Sequence, residues 1–103
     1  MKERYQKFFE MATVGRFEDF NVQVYTDHEP IHFHILKKDQ YEVRMQLSPL
    51  KFLSYKWQKD GKEVTGSDMK KIKKWLQDAS KKDKRMSNKD AIKFAWSILN
   101  ENE

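Results

Sequence analysis

Cysteine is absent from the 103 residues, so the chain can form neither a disulfide nor a thiolate metal site, and small secreted domains usually depend on such staples. This absence points to the cytoplasm. Only three glycines and two prolines interrupt the chain, which argues against a linker or a low-complexity segment. No apolar run approaches the roughly 20 residues that span a bilayer. The opening Met1-Lys2-Glu3-Arg4-Tyr5-Gln6 carries charge where an export signal needs an apolar stretch, so neither membrane insertion nor export is expected. Hydrophobic residues are also sparse, at 38%, yet 14% of the chain is aromatic, with seven Phe and three Trp, so large rings must supply the core volume. A length of this order predicts one domain spanning residues 1–103.

What is abundant is charge. The chain has 21 Lys and Arg against 16 Asp and Glu, a formal net charge of +5, and most of the excess lies between Lys70 and Arg85. Lys70, Lys71, Lys74, Lys82 and Arg85 are candidates for contacts to phosphates. The same lysines fall largely opposite an apolar helical stripe, where a solvated face is equally expected. No helix-turn-helix, RNA-recognition or zinc-finger signature specifies a groove or a base contact.

Periodicity predicts the architecture. Tyr5, Phe8, Phe9 and Ala12 recur at helical spacing over residues 3–13, with Gly15 as a C-terminal stop. Alternation then takes over: Phe20, Val22 and Val24 oppose Asn21, Gln23 and Tyr25 within a strand over residues 17–26. Asp27-His28-Glu29-Pro30 supplies a turn. Two further strands cover residues 31–37 and 41–47, with Ile31, Phe33, Ile35, Val43 and Met45 on one face and His32, His34, Glu42 and Arg44 on the other. If their apolar faces share a core, partners across this hairpin must have position numbers of even sum. The loop is then odd in length, and His34 lies opposite either Arg44 or Glu42. Residues 51–58 read as a fourth strand, with Leu53, Tyr55 and Trp57 alternating. Ser67 is the expected N-cap of a helix whose stripe is Met69, Ile72, Trp75, Leu76 and Ala79. Ser87 and Asp90 have capping-box spacing and open another helix, with Ile92, Ala95, Trp96 and Leu99 inward. The predicted fold is α+β: an N-terminal helix, a three- or four-stranded antiparallel meander, and two C-terminal helices on its apolar face. Trp57, Trp75 and Trp96 all fall on apolar sides, and at least two of them are expected in the core.

The segment Val24-Tyr25-Thr26-Asp27-His28-Glu29-Pro30-Ile31-His32-Phe33-His34-Ile35 resembles the DUF4160 family of small bacterial proteins of unknown function. Members show an acidic residue and a His, then Pro and a His-aromatic-His strand, a short hairpin and a helix carrying a Trp. Glu42 to Leu47 and the Trp75 helix are similar to the later parts, so the resemblance covers roughly residues 20–77. Ile31 stands where the family often has a second Pro, and Lys37-Lys38-Asp39 replaces its usual Gly-containing turn. The resemblance implies a fold, a bacterial or mobile-element origin, and a link to gene pairs of toxin-and-antitoxin character. It implies no activity.

His28, His32 and His34 are the one concentration of groups able to bind a transition metal or exchange protons near neutral pH. His32 and His34 share a strand face, His28 could reach them from the turn, and Asp27 or Glu42 could complete a zinc or nickel site. The spacing permits a metal without demanding one, because a solvated polar sheet face has the same pattern. His-Phe-His also resembles part of the histidine-triad motif of nucleotide hydrolases, but Pro30 occupies the place of the third His. No Gly-rich phosphate loop is present. His34 with Glu42 could form an acid–base pair, as any surface hairpin can. The leading expectation is therefore a small basic non-enzymatic binding protein that uses an open face carrying Tyr25, His32, His34, Glu42 and Arg44. Its partner is a protein or a nucleic acid. A metal-binding protein or small metal-dependent enzyme built on the three histidines is the alternative.

Overall fold

Alternating apolar and polar residues build one five-stranded antiparallel sheet in the computed structural model, which describes residues 11–26 and 31–100. The strands are β1 (Met11–Phe17), β2 (Phe20–Tyr25), β3 (His32–Lys37), β4 (Tyr41–Gln46) and β5 (Lys51–Gln58), neighbours in space in the order of the chain. Two helices follow, α1 (Gly66–Gln77) and α2 (Asn88–Asn100). The α+β class and the pair of C-terminal helices agree with expectation. The N-terminal helix and the count of three or four strands do not.

The correction lies at β1. Residues 3–10 of the expected helix lie outside the described residues, but Met11–Phe17 is a strand that pairs with β2, from Met11 opposite Tyr25 to Phe17 opposite Phe20. Glu18 and Asp19 form the two-residue turn between them, with Glu18 at φ 51°. The expected single strand over 17–26 is therefore split by a hairpin. Gly15, expected to stop a helix, instead clears space for a ring: a Cβ there would come within 2.7 Å of Trp75 Cζ2.

One face of the sheet is the core. Val22, Val24, Phe33, Ile35, Tyr41, Val43 and Met45 are fully buried, each contributing about 1.5–3 kcal/mol on removal from water if apolar transfer alone is counted. On this face Trp75 of α1 stacks on Phe17 at 5.2 Å, and Phe17 on Phe20 at 4.9 Å. Helix α1 is capped by Thr65, two residues before the expected Ser67. Thr65 Oγ1 accepts from Asp68 N at 3.0 Å while Asp68 accepts from Thr65 N, a reciprocal capping box. The buried Asp68 carboxyl also accepts from Tyr41 Oη at 2.8 Å and Lys37 Nζ at 3.0 Å, which ties α1 to the β3–β4 hairpin. Burial pushes this carboxyl up, but the hydrogen bonds from Lys37, Tyr41 and the Thr65 backbone together outweigh it and hold it below the usual carboxylate range.

Asn88 joins the helices: its Nδ2 donates to Trp75 O at 2.7 Å and its backbone N to Asp78 O at 2.8 Å. Ser87 caps α2 as expected, its Oγ accepting from Asp90 N at 3.1 Å. Ala79 lies beyond the end of α1, exposed, in a bridge to Ser87. Trp75 and Trp96 are buried and Trp57 is 42% exposed, so two of the three indoles belong to the core. Among the described residues no helix is long and apolar enough to cross a membrane.

Candidate functional site

Tyr41 and Glu42 are sequence neighbours on β4, and the pleat sends them to opposite faces of the sheet. Tyr41 meets Asp68 under α1. Glu42 faces the other way, where the registers bring Gln23, His34, Arg44 and Ser54 into one row across four strands. The β3–β4 loop is Lys38-Asp39-Gln40, three residues with Asp39 at φ 63°, and His34 stands opposite Arg44 as one of the two expected registers required.

The expected binding residues Tyr25, His32, His34, Glu42 and Arg44 do share this face, but it is not open at its centre. His32 is 6% exposed, His34 5% and Glu42 7%. Trp96 of α2 stands edge-on to His32 at 5.2 Å, and Tyr25 edge-on to His34 at 4.2 Å. Lys56 Nζ lies 5.0 Å over the Tyr25 ring. Arg44 remains exposed, and Tyr25 is half-buried.

Glu42 Oε2 organises the cluster. It lies 3.1 Å from His34 Nδ1, 3.4 Å from Tyr25 Oη and 3.8 Å from Lys56 Nζ. The Tyr25 hydroxyl donates at shorter range, 2.9 Å, to Gln23 Oε1. Burial pulls the pKa of His34 down, more than the hydrogen bond and charge of Glu42 pull it up, with His32 and Lys56 adding to the downward side. The imidazole is therefore neutral at neutral pH. Facing the Glu42 carboxylate, it carries its hydrogen on Nδ1, which leaves a lone pair on Nε2. That buried nitrogen has no hydrogen-bond partner among the described residues. The Tyr25 hydroxyl is pushed up by burial and by the Glu42 charge, so it stays protonated.

Beside the cluster, Tyr25, His34, Arg44 and Lys56 line a concavity of about 280 Å³. Arg44 spends only its Nε, on Ser54 Oγ at 3.2 Å, so both terminal amino groups lack a hydrogen-bond partner among the described residues. A larger groove of about 430 Å³ runs between β1 and α2, lined by apolar residues such as Met11, Met86, Phe94 and Ile98. Thr13, Ser80, Lys82 and Asp83 also line it, but apolar side chains make up most of its wall.

The other expected sites fare differently. His28 lies outside the described residues, and among those described no three His, Asp or Glu residues are grouped to hold a metal. His32 and His34 do sit side by side, with ring centroids 5.8 Å apart. Of the candidate phosphate contacts, Lys71 pairs with Glu18 at 3.0 Å, Lys74 with Asp78 at 3.7 Å and Arg85 with Asp83 at 3.0 Å. Lys82 donates to Thr13 O at 3.1 Å, and Lys70 is exposed.

Lys56 and Trp57 were not among the expected site residues. Alternation along residues 51–58 puts Trp57 on the apolar side with Tyr55, but the register slips between Glu42 and Val43, and again between Arg44 and Met45. Tyr55 opposes Val43 on the core face and Trp57 opposes Glu42 on the histidine face, with Lys56 as the extra residue between them. The clustering of Lys with aromatic residues over 51–59 is the signal that could have marked this strand.

Comparison with family models matches residues 20–88 to DUF4160, a domain of unknown function. Comparisons with curated proteins and with solved structures found no match. The matched segment holds β2 to β5 and α1, and with them all four residues lining the smaller concavity. By that match over most of its length, the chain belongs to the DUF4160 family.

Proposed function

We propose that the protein is a small non-enzymatic binding protein that holds single-stranded nucleic acid across the histidine face of its sheet. The observation that carries this reading is Trp57, an indole 42% exposed on the same face as Arg44 and Lys56. An exposed ring beside cations suits a single strand, because bases of any sequence stack on it while the cations follow the phosphates. Arg16 extends the charge along the same face, its Nε bonded to Asn21. The net charge of +5 adds a long-range attraction for a polyanion. The helix lysines support the reading less, since Lys71, Lys74, Lys82 and Arg85 already have partners within the chain. The origin implied by the family resemblance is bacterial or mobile-element, and nucleic acid is at hand in either.

A second reading, a protein partner, is favoured by Phe52 and Leu53, 40% and 39% exposed on β5 at the sheet's edge. An extended segment can pair with such an edge through backbone hydrogen bonds.

Fluorescence anisotropy of a labelled single-stranded oligonucleotide separates the two. The nucleic-acid reading predicts binding that weakens steeply between about 50 and 200 mM salt, with two or three phosphates engaged giving a log–log slope of about −1.4 to −2.1. It also predicts that Trp57→Ala weakens binding about tenfold. Absence of binding at the lower salt overturns the nucleic-acid reading.

A further inference from the structure

We infer that the concavity lined by Tyr25, His34, Arg44 and Lys56 holds a terminal phosphate monoester, and that His34 takes up a proton when it binds. The inference rests on the nucleic-acid reading and deepens it, from a face that follows a strand to a pocket that recognises its end.

Size comes first. Pockets for whole drug-sized ligands run from about 300 to 1,000 Å³. At about 280 Å³ this one lies at the lower edge of that range, with room for a phosphate and part of the nucleotide that carries it. Its chemistry suits an oxyanion. The Arg44 guanidinium keeps its two terminal amino groups for a bidentate contact, and phosphate oxygens match that fork. Lys56 holds Glu42 only at 3.8 Å on a half-exposed side chain, and it can turn toward a stronger anion without breaking a short bond.

Charge balance then distinguishes a chain end from the backbone. Among the described residues, the groups facing His34 are Glu42 from β4, Lys56 from β5, Tyr25 from β2 and His32 from its own strand, with Arg44 across the hairpin. Of these described groups, one carboxylate against two cations leaves one surplus positive charge. A backbone phosphodiester, singly charged, would cancel it and need nothing from His34. A monoester near its dianionic form adds one negative charge more, which a proton on His34 cancels.

The ring is built to take that proton. Glu42 already holds Nδ1–H at 3.1 Å and would stabilise the imidazolium. Nε2, buried and without a partner among the described residues, would become the donor to a phosphate oxygen once a small side-chain shift uncovers it. In the free protein, burial disfavours the charged ring, so the proton arrives with the anion. Affinity for a monoester therefore rises as pH falls toward the second pKa of the phosphate, about 6. It stops rising once the ligand itself is protonated.

The test is isothermal titration calorimetry of one oligonucleotide bearing a 5′-phosphate, a 3′-phosphate or hydroxyl ends, and of inorganic phosphate alone, each in two buffers of different ionisation enthalpy. The expected result is at least about tenfold tighter binding of one phosphorylated form over the hydroxyl form, with proton uptake that the hydroxyl form lacks. Arg44→Ala, at an exposed position, should abolish the preference, and His34→Asn should abolish the proton uptake. Trp57→Ala should weaken all forms alike. Equal affinity for phosphorylated and hydroxyl ends, with no difference in proton uptake, overturns the inference and leaves the nucleic-acid reading standing. Binding of inorganic phosphate with His34-dependent proton uptake, but of no oligonucleotide, upholds the pocket and overturns the nucleic-acid reading.

Discussion

Two buried carboxylates stand on opposite faces of one sheet, and each has a tyrosine hydroxyl and a lysine within reach. On the α1 face, Asp68 takes Tyr41 at 2.8 Å and a Lys37 whose side chain is 16% exposed at 3.0 Å, and its remaining bond closes the helix cap. On the histidine face, Glu42 has Tyr25 at 3.4 Å and a Lys56 whose side chain is 53% exposed at 3.8 Å, and its short contact is to a histidine whose far nitrogen has no hydrogen-bond partner among the described residues. The first network is complete within the chain. The second is longer-ranged and leaves that one buried nitrogen unsatisfied by the described residues. Burial alone does not separate the two; what separates them is whether every donor and acceptor is satisfied by the fold.

The largest effect should come from breaking the finished network. Asp68→Asn leaves Lys37 facing a neutral amide in a buried setting and should cost about 3 kcal/mol in urea unfolding. It should also change the acid limb. The folded carboxyl titrates below its unfolded value of about 3.9, so its contribution is full above that pH and is lost as pH falls through the folded value. Asp68→Asn should therefore flatten the fall in stability below about pH 4.

Next, on the same face, Gly15→Ala forces a methyl against the Trp75 ring and should cost about 2 kcal/mol, read as a shift in the urea midpoint.

Glu42→Gln should cost only about 1 kcal/mol, because its network is longer-ranged and half-exposed at Lys56. Equal losses for Asp68→Asn and Glu42→Gln would erase the distinction between the faces. The histidine face has its own pH signature. The folded pKa of His34 lies below its unfolded value near 6.5, so its contribution is present above that pH and is lost as pH falls through the folded value. Thermal melts should show a modest loss that starts near pH 6.5, well above the carboxylate limb, and that disappears in His34→Asn. Smallest of all, Trp57→Ala should move stability by less than about 0.5 kcal/mol, since the ring is already half in water. On the proposed function, its larger effect is on binding.

The two faces were unequally legible from the residues alone. The core face follows from strict alternation in β2, β3 and β4, and the even-sum rule narrowed the hairpin to two registers, of which Arg44 opposite His34 is one. The β1–β2 hairpin was hidden because Glu18-Asp19 lacks the Gly or Asn that usually supplies positive φ, and because Phe17 and Phe20 continue an apolar pattern across the turn. Gly15 misled for a related reason: its missing side chain serves a tertiary contact with Trp75, which no local pattern encodes. The site was half legible. Tyr25, His34, Glu42 and Arg44 were placed on one face by parity, but Lys56 and Trp57 reach it only through the irregular register of β5. Nor does parity reveal burial: His32 is covered by Trp96, sixty-four positions away, through packing alone.

The most direct test of the histidine face as the binding surface is a titration of isotope-labelled protein with a single-stranded oligonucleotide, followed by amide chemical shifts. The account predicts changes concentrated at Gln23, Tyr25, His34, Arg44, Ser54, Lys56 and Trp57, with the lysine-rich stretch over 70–85 little altered. Changes confined to that lysine stretch, or to the apolar groove between β1 and α2, would contradict it.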